Sequence, residues 1–172
     1  MKNIYIIFSG LALCMLSLLF NSCTTPNNTP TAKNIDLNRY MGKWFEIARF
    51  ENYFQKGKSD AIAEYTMLPD GSVKIVNTAK NIDGSSSSAK AIAYVPDLRD
   101  SSKLRVSFFW PFYADYWILD VSENYDWALV GSSDNSYLWI LARQNTLPQA
   151  TLEKILAKAK SLNYDTSLLI FD

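Results

Sequence analysis

Few side chains in this sequence are of the types that catalyse reactions or bind metals. The 172 residues contain no histidine, so the commonest general base and metal ligand is missing. The Gly-x-Ser-x-Gly motif that carries a serine nucleophile is also absent. The remaining acid–base candidates are Glu46, which lies within an apolar stretch, and tyrosines of neighbouring segments. We therefore expect no metal site and no cofactor, and catalysis would depend on one carboxylate and on phenol hydroxyls.

The stretch around Glu46, residues 42–50, is patterned as a β-strand. Successive side chains of a strand point to opposite faces, so alternate residues share a face. One face carries Trp44, Glu46, Ala48 and Phe50, and the other carries Phe45, Ile47 and Arg49. Both faces are largely apolar, which is typical of a sheet that curls on itself, with one face lining an interior and the other covered from outside.

The composition predicts a single globular domain. Hydrophobic residues make up 48% and charged residues 20% of the chain, which excludes a disordered protein. Aromatic residues make up 14%, a load that suits β-structure or an aromatic-lined site. Basic and acidic residues number 17 each, so the charge balance does not indicate a nucleic acid partner.

Residues 1–22 are expected to be a signal peptide. A short basic start precedes an almost wholly apolar run that ends at Ser22-Cys23. This junction resembles the lipobox of bacterial lipoproteins, which implies a lipid on Cys23 and, because Thr24 is not Asp, sorting to the outer membrane. An ordinary signal peptide or a single transmembrane helix is the alternative. We expect residues 23–34 to form a flexible tether and residues 35–172 to form the domain.

The rest of the chain predicts seven further strands and one late helix. Short alternating runs recur every 8 to 12 positions between turn residues, as in sandwiches and barrels. The predicted strands are 60–68, 72–80, 88–95, 103–109, 115–121, 126–132 and 136–143. Leu152, Ile155, Leu156 and Ala159 then recur at helical spacing, Asn163 fits a left-handed cap, and 167–171 reads as a terminal strand. Eight antiparallel strands of this length predict an up-and-down barrel, and a two-sheet sandwich is the alternative.

Three stretches carry a resemblance to a known family. They are Gly-Lys-Trp-Phe-Glu-Ile-Ala-Arg at 42–49, the pair 116–120 and 125–131, and the stretch 137–143 that ends in arginine. Their order and spacing resemble the signatures of the lipocalin family, in its bacterial, apolipoprotein-D-like branch. The resemblance implies an all-β fold, an eight-stranded antiparallel up-and-down barrel with one C-terminal α-helix and a short terminal strand. It implies structural roles for Gly42, Trp44, Tyr125, Asp126 and Arg143, with Arg143 stacked on Trp44 at the closed end.

Alternation and the resemblance together predict which side chains line the barrel. The lining set is Glu46, Ala48, Phe50, Ala63, Tyr65, Ile75, Asn77, Ala91, Val106, Phe108, Tyr116, Ile118, Val130, Tyr137 and Trp139. A register error of one residue would turn any strand's set outward. Within this set Glu46 needs a partner, because a bare carboxylate is costly in an apolar cavity. We expect a hydrogen bond to Tyr65 or Tyr137, or alternatively an anchor for a cationic or hydroxyl-bearing head group.

The resemblance implies a membrane-anchored carrier of a small hydrophobic ligand. Fatty acids or lysophospholipids are the expected ligands, and lipid storage or transport in envelope maintenance is the expected role. The alternatives are an isomerase-like enzyme on a lipophilic substrate and a non-catalytic interaction module with a filled barrel. A homodimer is compatible with the sequence but not required by it. The aromatic residues 110–113, expected to form a loop, would pack locally or touch the membrane.

Overall fold

The structure is a computed structural model that describes residues 29–172. The expected signal peptide, the lipidation site Cys23 and the first part of the tether lie outside the described residues. Within residues 29–172, neither of the α-helices is long and apolar enough to cross a membrane.

Eight antiparallel strands close into a barrel. Each strand pairs with the next along the chain, and the ring closes where the first half of the first strand pairs with the second strand. This closure confirms the predicted barrel and excludes the sandwich. The elements are α1 (Leu37–Tyr40), β1 (Gly42–Phe50), β2 (Lys58–Met67), β3 (Val73–Asn81), β4 (Ser86–Tyr94), β5 (Lys103–Phe109), β6 (Phe112–Val121), β7 (Trp127–Gly131), β8 (Leu138–Ala142), α2 (Gln149–Ser161), a 3-10 turn (Thr166–Leu168) and β9 (Leu169–Phe171).

A bulge in β1 reverses which of its residues face the interior. Glu46 pairs with Leu141, but the next pair is Ala48 with Ile140, so Ile47 is an extra residue. Beyond the bulge Arg49 lies opposite the inward Trp139. The prediction that Ala48 and Phe50 line the cavity is therefore wrong. Both side chains pack in the outer cluster beneath α2.

Helix α2 covers the outer face of the barrel, as its apolar stripe predicted. Ile155 and Ala159 are fully buried in the outer cluster, and Leu152 and Leu156 pack against it. Asn163 adopts the expected left-handed conformation, with φ 66°. The helix begins at Gln149, directly after Pro148.

The last strand, β9, fills the gap where β1 and β2 diverge. It pairs with β1 through Ala48–Phe171, Arg49–Ile170 and Phe50–Leu169. The side chain of the final residue, Asp172, accepts a hydrogen bond from the backbone N–H of Ala61 on β2 at 3.0 Å. Asp172 thus bridges the two strands.

The barrel has two different ends. The connections β2–β3, β4–β5 and β6–β7 lie at one end together with α1, and we call this the closed end. The connections β1–β2, β3–β4, β5–β6 and β7–β8 lie at the other, the open end. The expected loop over 110–113 is shorter than predicted, because Phe109 already pairs with Phe112 and only Trp110 and Pro111 form the turn.

Candidate functional site

The barrel interior is closed at its base and accessible at its mouth. Along the inward face of β4, Ala93 and Ala91 are 0% and 4% exposed, whereas Ala89 nearer the mouth is exposed. The inward face of β3 shows the same gradient, from the buried Val73 to the half-buried Asn77. Exposure that rises along one face of several strands is what a cup produces, since its wall becomes solvent-accessible only toward the opening.

Trp44 and Arg143 seal the closed end. The guanidinium carbon of Arg143 lies 3.7 Å from the centre of the Trp44 ring, so the expected contact is present. The same guanidinium donates hydrogen bonds to the carbonyl oxygens of Lys43 and Met41 at 2.8 and 2.9 Å. Gly42 lies beside it with φ +94°, a conformation that other residues rarely adopt, so the backbone and not a lack of space favours glycine here.

The other two signature residues lie in the β6–β7 connection. The Tyr125 hydroxyl accepts a hydrogen bond from the backbone N–H of Asp36 at 2.8 Å, and its carbonyl accepts one from Arg143 Nε at 3.2 Å. The carbonyl of Asp126 accepts a hydrogen bond from the backbone N–H of Arg143 at 2.8 Å. Both residues therefore hold the closed end together and lie away from the mouth.

Three tyrosine hydroxyls meet inside the lower half of the barrel. The Tyr116 hydroxyl lies 2.7 Å from that of Tyr40 and 2.9 Å from that of Tyr65. Burial is the main cause that raises the pKa of Tyr65 to about 12, and it raises the pKa of Tyr40 and Tyr116 well above 10.0. All three phenols are neutral at physiological pH. They form an uncharged polar floor that could hydrogen-bond a ligand but is poorly suited to remove a proton.

Glu46 has partners that the sequence did not predict. Its carboxylate accepts one hydrogen bond from Arg49 Nη1 and one from Gln55 Nε2, each at 2.7 Å. Arg49 Nη1 also contacts the Asp172 carboxylate at 3.1 Å, and Trp139 Nε1 donates to the Gln55 side chain at 3.0 Å. The expected hydrogen bond to Tyr65 or Tyr137 is absent among the described contacts. The bulge explains the difference, because it turns Arg49 toward Glu46.

Burial raises the pKa of Glu46 above its ordinary value, while the hydrogen bond from Gln55 and the charge of Arg49 oppose this shift. The side chains of Glu46 and Arg49 are 6% and 4% exposed. A buried pair of this kind costs much of its Coulomb attraction in desolvation. Both oxygens of Glu46 are engaged, so this carboxylate is a poor site for a ligand's head group.

A lysine reaches the interior face at the mouth. Lys58, at the start of β2, pairs with Asn81, and its ammonium group donates to the Ser87 hydroxyl at 3.0 Å. Ser87 lies opposite Ala79, on the face of β3 and β4 that also carries Asn77 and Ala89. A positive charge at the rim of an apolar cup suits the carboxylate or phosphate of an amphipathic molecule.

Most of the predicted lining residues meet inside the barrel. Those in or against the inner cluster are Ala63, Tyr65, Ile75, Ala91, Val106, Tyr116, Ile118, Val130 and Trp139. Asn77 lies directly opposite Ala63, and the Tyr137 ring stacks on Trp139 with centroids 5.5 Å apart. Phe108 is placed differently, since it is 45% exposed near the open end of β5 and belongs to neither cluster. Whether any of these residues contacts a ligand stays a prediction.

Sequence reasoning missed four polar residues of the interior. Tyr40 precedes the first signature, Gln55 belongs to the β1–β2 connection, Arg49 was assigned by alternation to the outer face, and Lys58 precedes the predicted strand 60–68. No local pattern marks a polar residue that enters a cavity from a loop or past a bulge. Within residues 29–172, no group of three or more His, Cys, Asp and Glu side chains could hold a metal ion.

Comparisons with known proteins agree with this geometry. A family model described as a lipocalin-like domain matches residues 35–172. The chain is 34% identical to the outer membrane lipoprotein Blc of Vibrio cholerae, over 92% of this chain and 95% of that protein. It is 35% identical to the outer membrane lipoprotein Blc of Escherichia coli, over 88% of this chain and 86% of that protein.

A solved structure shows the same fold. The insecticyanin of the tobacco hornworm Manduca sexta superimposes with a TM-score of 0.69 at 18% identity, over 84% of each chain. At that identity the likeness speaks for the fold alone. The family model covers four fifths of the sequence, and both curated relatives exceed 30% identity over most of their length. The chain therefore belongs to the lipocalin family.

Proposed function

We propose that this protein is a non-enzymatic carrier that holds one fatty acid or lysophospholipid inside its barrel. The observation that carries the proposal is the graded interior: buried at the base, where apolar side chains surround the three tyrosine hydroxyls, and accessible and partly polar at the mouth. An acyl chain would lie against the inner cluster, where burial of each methylene contributes about 0.8 kcal/mol. A polar head group would stay at the mouth, where water and charged side chains are present.

The position of Lys58 supports a ligand with an anionic head group. Its ammonium group lies at the rim of the interior face, 3.0 Å from the Ser87 hydroxyl. A carboxylate or phosphate at the mouth would be within its reach, whereas the two oxygens of Glu46 are already engaged by Arg49 and Gln55. We therefore favour Lys58, and not Glu46, as the group that meets the ligand's head.

We further propose that the carrier is a lipoprotein of the outer membrane, anchored through a lipid on Cys23. The apolar start of the sequence and the Ser22-Cys23 junction support this, and two relatives are outer membrane lipoproteins by name. A role in storing or moving lipids of the cell envelope would follow from that position. A homodimer is not needed for any of these functions.

Two other functions make different predictions. An isomerase-like enzyme would need an acid–base group free to act on a bound molecule, and the described candidates are Glu46 and the tyrosines. Glu46 is paired with Arg49, and the tyrosine hydroxyls bond one another, which favours binding over catalysis. An interaction module with a filled barrel would have no accessible interior, which the exposure of Ala89 argues against.

Native mass spectrometry with lipid extraction tests the carrier. The chain from residue 24 onward, expressed without its anchor, retains the whole described barrel. We expect one fatty acid or lysophospholipid per protein, either co-purified or taken up on addition. A protein that stays empty in both cases would overturn the carrier and favour the interaction module. Conversion of the bound molecule into a product would instead support the enzyme.

A further inference from the structure

Large apolar side chains are exposed around the mouth of the barrel. They come from three of the four open-end connections or the strand ends beside them. Their exposed fractions lie between 68% and 91%. We call this set the apolar crown: Tyr53, Phe54, Ile82, Phe109, Trp110 and Phe112. Single exposed apolar side chains are common on soluble proteins. A group of them at one end of a molecule is not, and it marks an interaction surface.

The closed end has a different surface. Its connections carry Asp70, Asp97, Arg99 and Glu123, which are all exposed. Among the described residues of these connections, Leu98 is the one large apolar side chain with high exposure, at 90%. The two ends of the molecule therefore differ in polarity. The closed end is polar, and the end that holds the opening is apolar.

The residues before α1 run along the barrel toward the open end. Near the closed end the Ile35 carbonyl accepts a hydrogen bond from the Ser101 hydroxyl at 2.7 Å. The backbone N–H of Ala32 then bonds the carbonyl of Ile118 at 2.9 Å. At Thr29, which is buried, the hydroxyl donates to the Asn135 side chain in the β7–β8 connection at 3.3 Å. Residues 29–34 were expected to belong to the flexible tether, and this is a correction: they are bound to the barrel.

The attached arm limits where a membrane anchor can lie. Five residues, 24–28, lie between Cys23 and Thr29, and the six residue-to-residue steps reach about 20 Å when extended. A lipid on Cys23 would therefore lie within about 20 Å of the β7–β8 connection, which is an open-end connection. Thr29 also lines a groove with Leu98 and Arg99 of the β4–β5 connection, so the arm leaves the anchor within reach of either end, and the apolar crown decides which end docks.

We propose that the apolar crown docks on a lipid bilayer, so that the mouth of the barrel faces the membrane that holds the anchor. Trp and Tyr are favoured where water meets lipid, and the exposed side chains of the crown include one of each. The charges beside the crown are mixed, with Glu51, Lys56 and Asp83 all exposed. The docking is therefore apolar and needs no anionic lipid. This docking proposal does not depend on which ligand the interior binds. The position of the anchor rests on the proposed lipid on Cys23.

Tryptophan quenching in vesicles tests the orientation. The full lipidated chain, purified from membranes, is reconstituted into phosphatidylcholine vesicles with and without brominated acyl chains, which quench only tryptophans at the lipid. We expect bromolipid to reduce the emission of the unmodified protein, and Trp110→Phe to abolish most of this loss. In the Trp110→Phe background, Phe54→Trp places a reporter on another part of the crown, and quenching should return.

Leu98→Trp in the same background is the matched control, because it puts a tryptophan on an equally exposed loop at the closed end. Its emission should not change with bromolipid. Quenching of the Leu98→Trp reporter but not of Trp110 would overturn the proposal by placing the closed end at the membrane. Unquenched Trp110 together with chemical cross-linking between two crowns would overturn it in favour of a second copy as the occupant.

Flotation of the same vesicles separates this proposal from the carrier function. A chain that does not float with the vesicles has neither an anchor nor a docked crown, which would overturn the proposal while leaving ligand binding untouched. A chain that floats, shows Trp110 quenching and yet binds no fatty acid would keep the orientation and overturn the carrier.

Discussion

Arg143 and Trp44 come from opposite ends of the sequence and meet with 3.7 Å between the guanidinium carbon and the ring centre. The Arg143 side chain also bonds four carbonyl groups within 3.2 Å, those of Arg39, Met41, Lys43 and Tyr125. It therefore ties α1, the start of β1 and the β6–β7 connection together. Both roles are structural, because neither residue lies near the mouth.

We predict that Arg143→Ala lowers the free energy of unfolding by about 3 kcal/mol, because it removes the ring contact and several charge-assisted hydrogen bonds. Arg143→Lys should recover only part of this, since an ammonium cannot bond in a planar fork. Urea denaturation gives the values. Arg39→Ala is the matched control: Arg39 lies 4.4 Å from the Tyr125 ring and is exposed, so its loss should cost much less. Equal losses would contradict the assignment.

Replacing the central tyrosine of the interior should cost more than replacing a peripheral one. Tyr116→Phe leaves the buried hydroxyls of Tyr40 and Tyr65 without their shared partner, and we expect a loss of about 3 kcal/mol. Tyr65→Phe removes a single contact and leaves the Tyr116–Tyr40 pair intact, so we expect about 1 kcal/mol. Thermal or urea unfolding of both variants checks the order. The reverse order would mean that the three hydroxyls do not act as a chain.

The buried Glu46 should make stability depend on pH. Because its native pKa is raised above the ordinary 4.5, mainly by burial, the native state holds this proton to higher pH than the unfolded state does. The stability contributed by protonated Glu46 is thus complete below pH 4.5 and is lost as the pH rises through the native pKa. We predict that wild type loses stability relative to Glu46→Gln as the pH rises above 4.5.

Unfolding curves of both proteins at several pH values measure this difference. Groups outside the Glu46 environment contribute equally to the two proteins and cancel. A wild type that gains stability relative to Glu46→Gln as the pH rises above 4.5 would show that Arg49 and Gln55 outweigh burial. The native pKa would then lie below the ordinary value.

Filling the cavity should weaken ligand binding without harming the fold. Ala89 lies on the inward face near the mouth, opposite Asn77, and Lys90 is its outward neighbour, opposite Val76. We predict that Ala89→Trp weakens the binding of a fluorescent fatty acid by at least about tenfold, because the indole takes the volume of several methylenes. Lys90→Trp, with the same new side chain on the other face, should bind as wild type does. Equal binding by both variants would place the ligand elsewhere.

Lys58 should contribute to affinity through the charge of the head group. We predict that Lys58→Gln weakens fatty acid binding up to about fivefold, the size expected of a partly exposed ion pair, and removes the salt dependence of binding. Lys56→Gln is the control, since Lys56 is an exposed neighbour on the same connection. Titration with the matching fatty alcohol, which carries no charge, should show no difference between Lys58→Gln and wild type. If Lys58→Gln and wild type did bind the alcohol differently, Lys58 would contribute to affinity through packing and not through its charge.

The family, the eight strands and the late helix could all be predicted from the sequence, because each depends on local patterns. Alternation of side chains marked the strands to within a few residues, and the stripe through Ile155 and Ala159 marked the helix face. The pairing of Trp44 with Arg143 came from the resemblance to the lipocalin signatures. Interior residues far from any bulge, such as Tyr65, Ile75 and Val130, followed from alternation together with the resemblance.

The tertiary structure alone decided the polar interior and the direction of the chain's entry. A single extra residue at Ile47 turns Ala48 and Phe50 outward and Arg49 inward, and a bulge depends on partner strands that lie far away in sequence. The hydroxyl chain joins Tyr40, Tyr65 and Tyr116, which come from three separate segments. Likewise, only its hydrogen bond to Asn135 places Thr29 beside the β7–β8 connection. These features are set by closure of the sheet, which brings together residues that no local pattern relates.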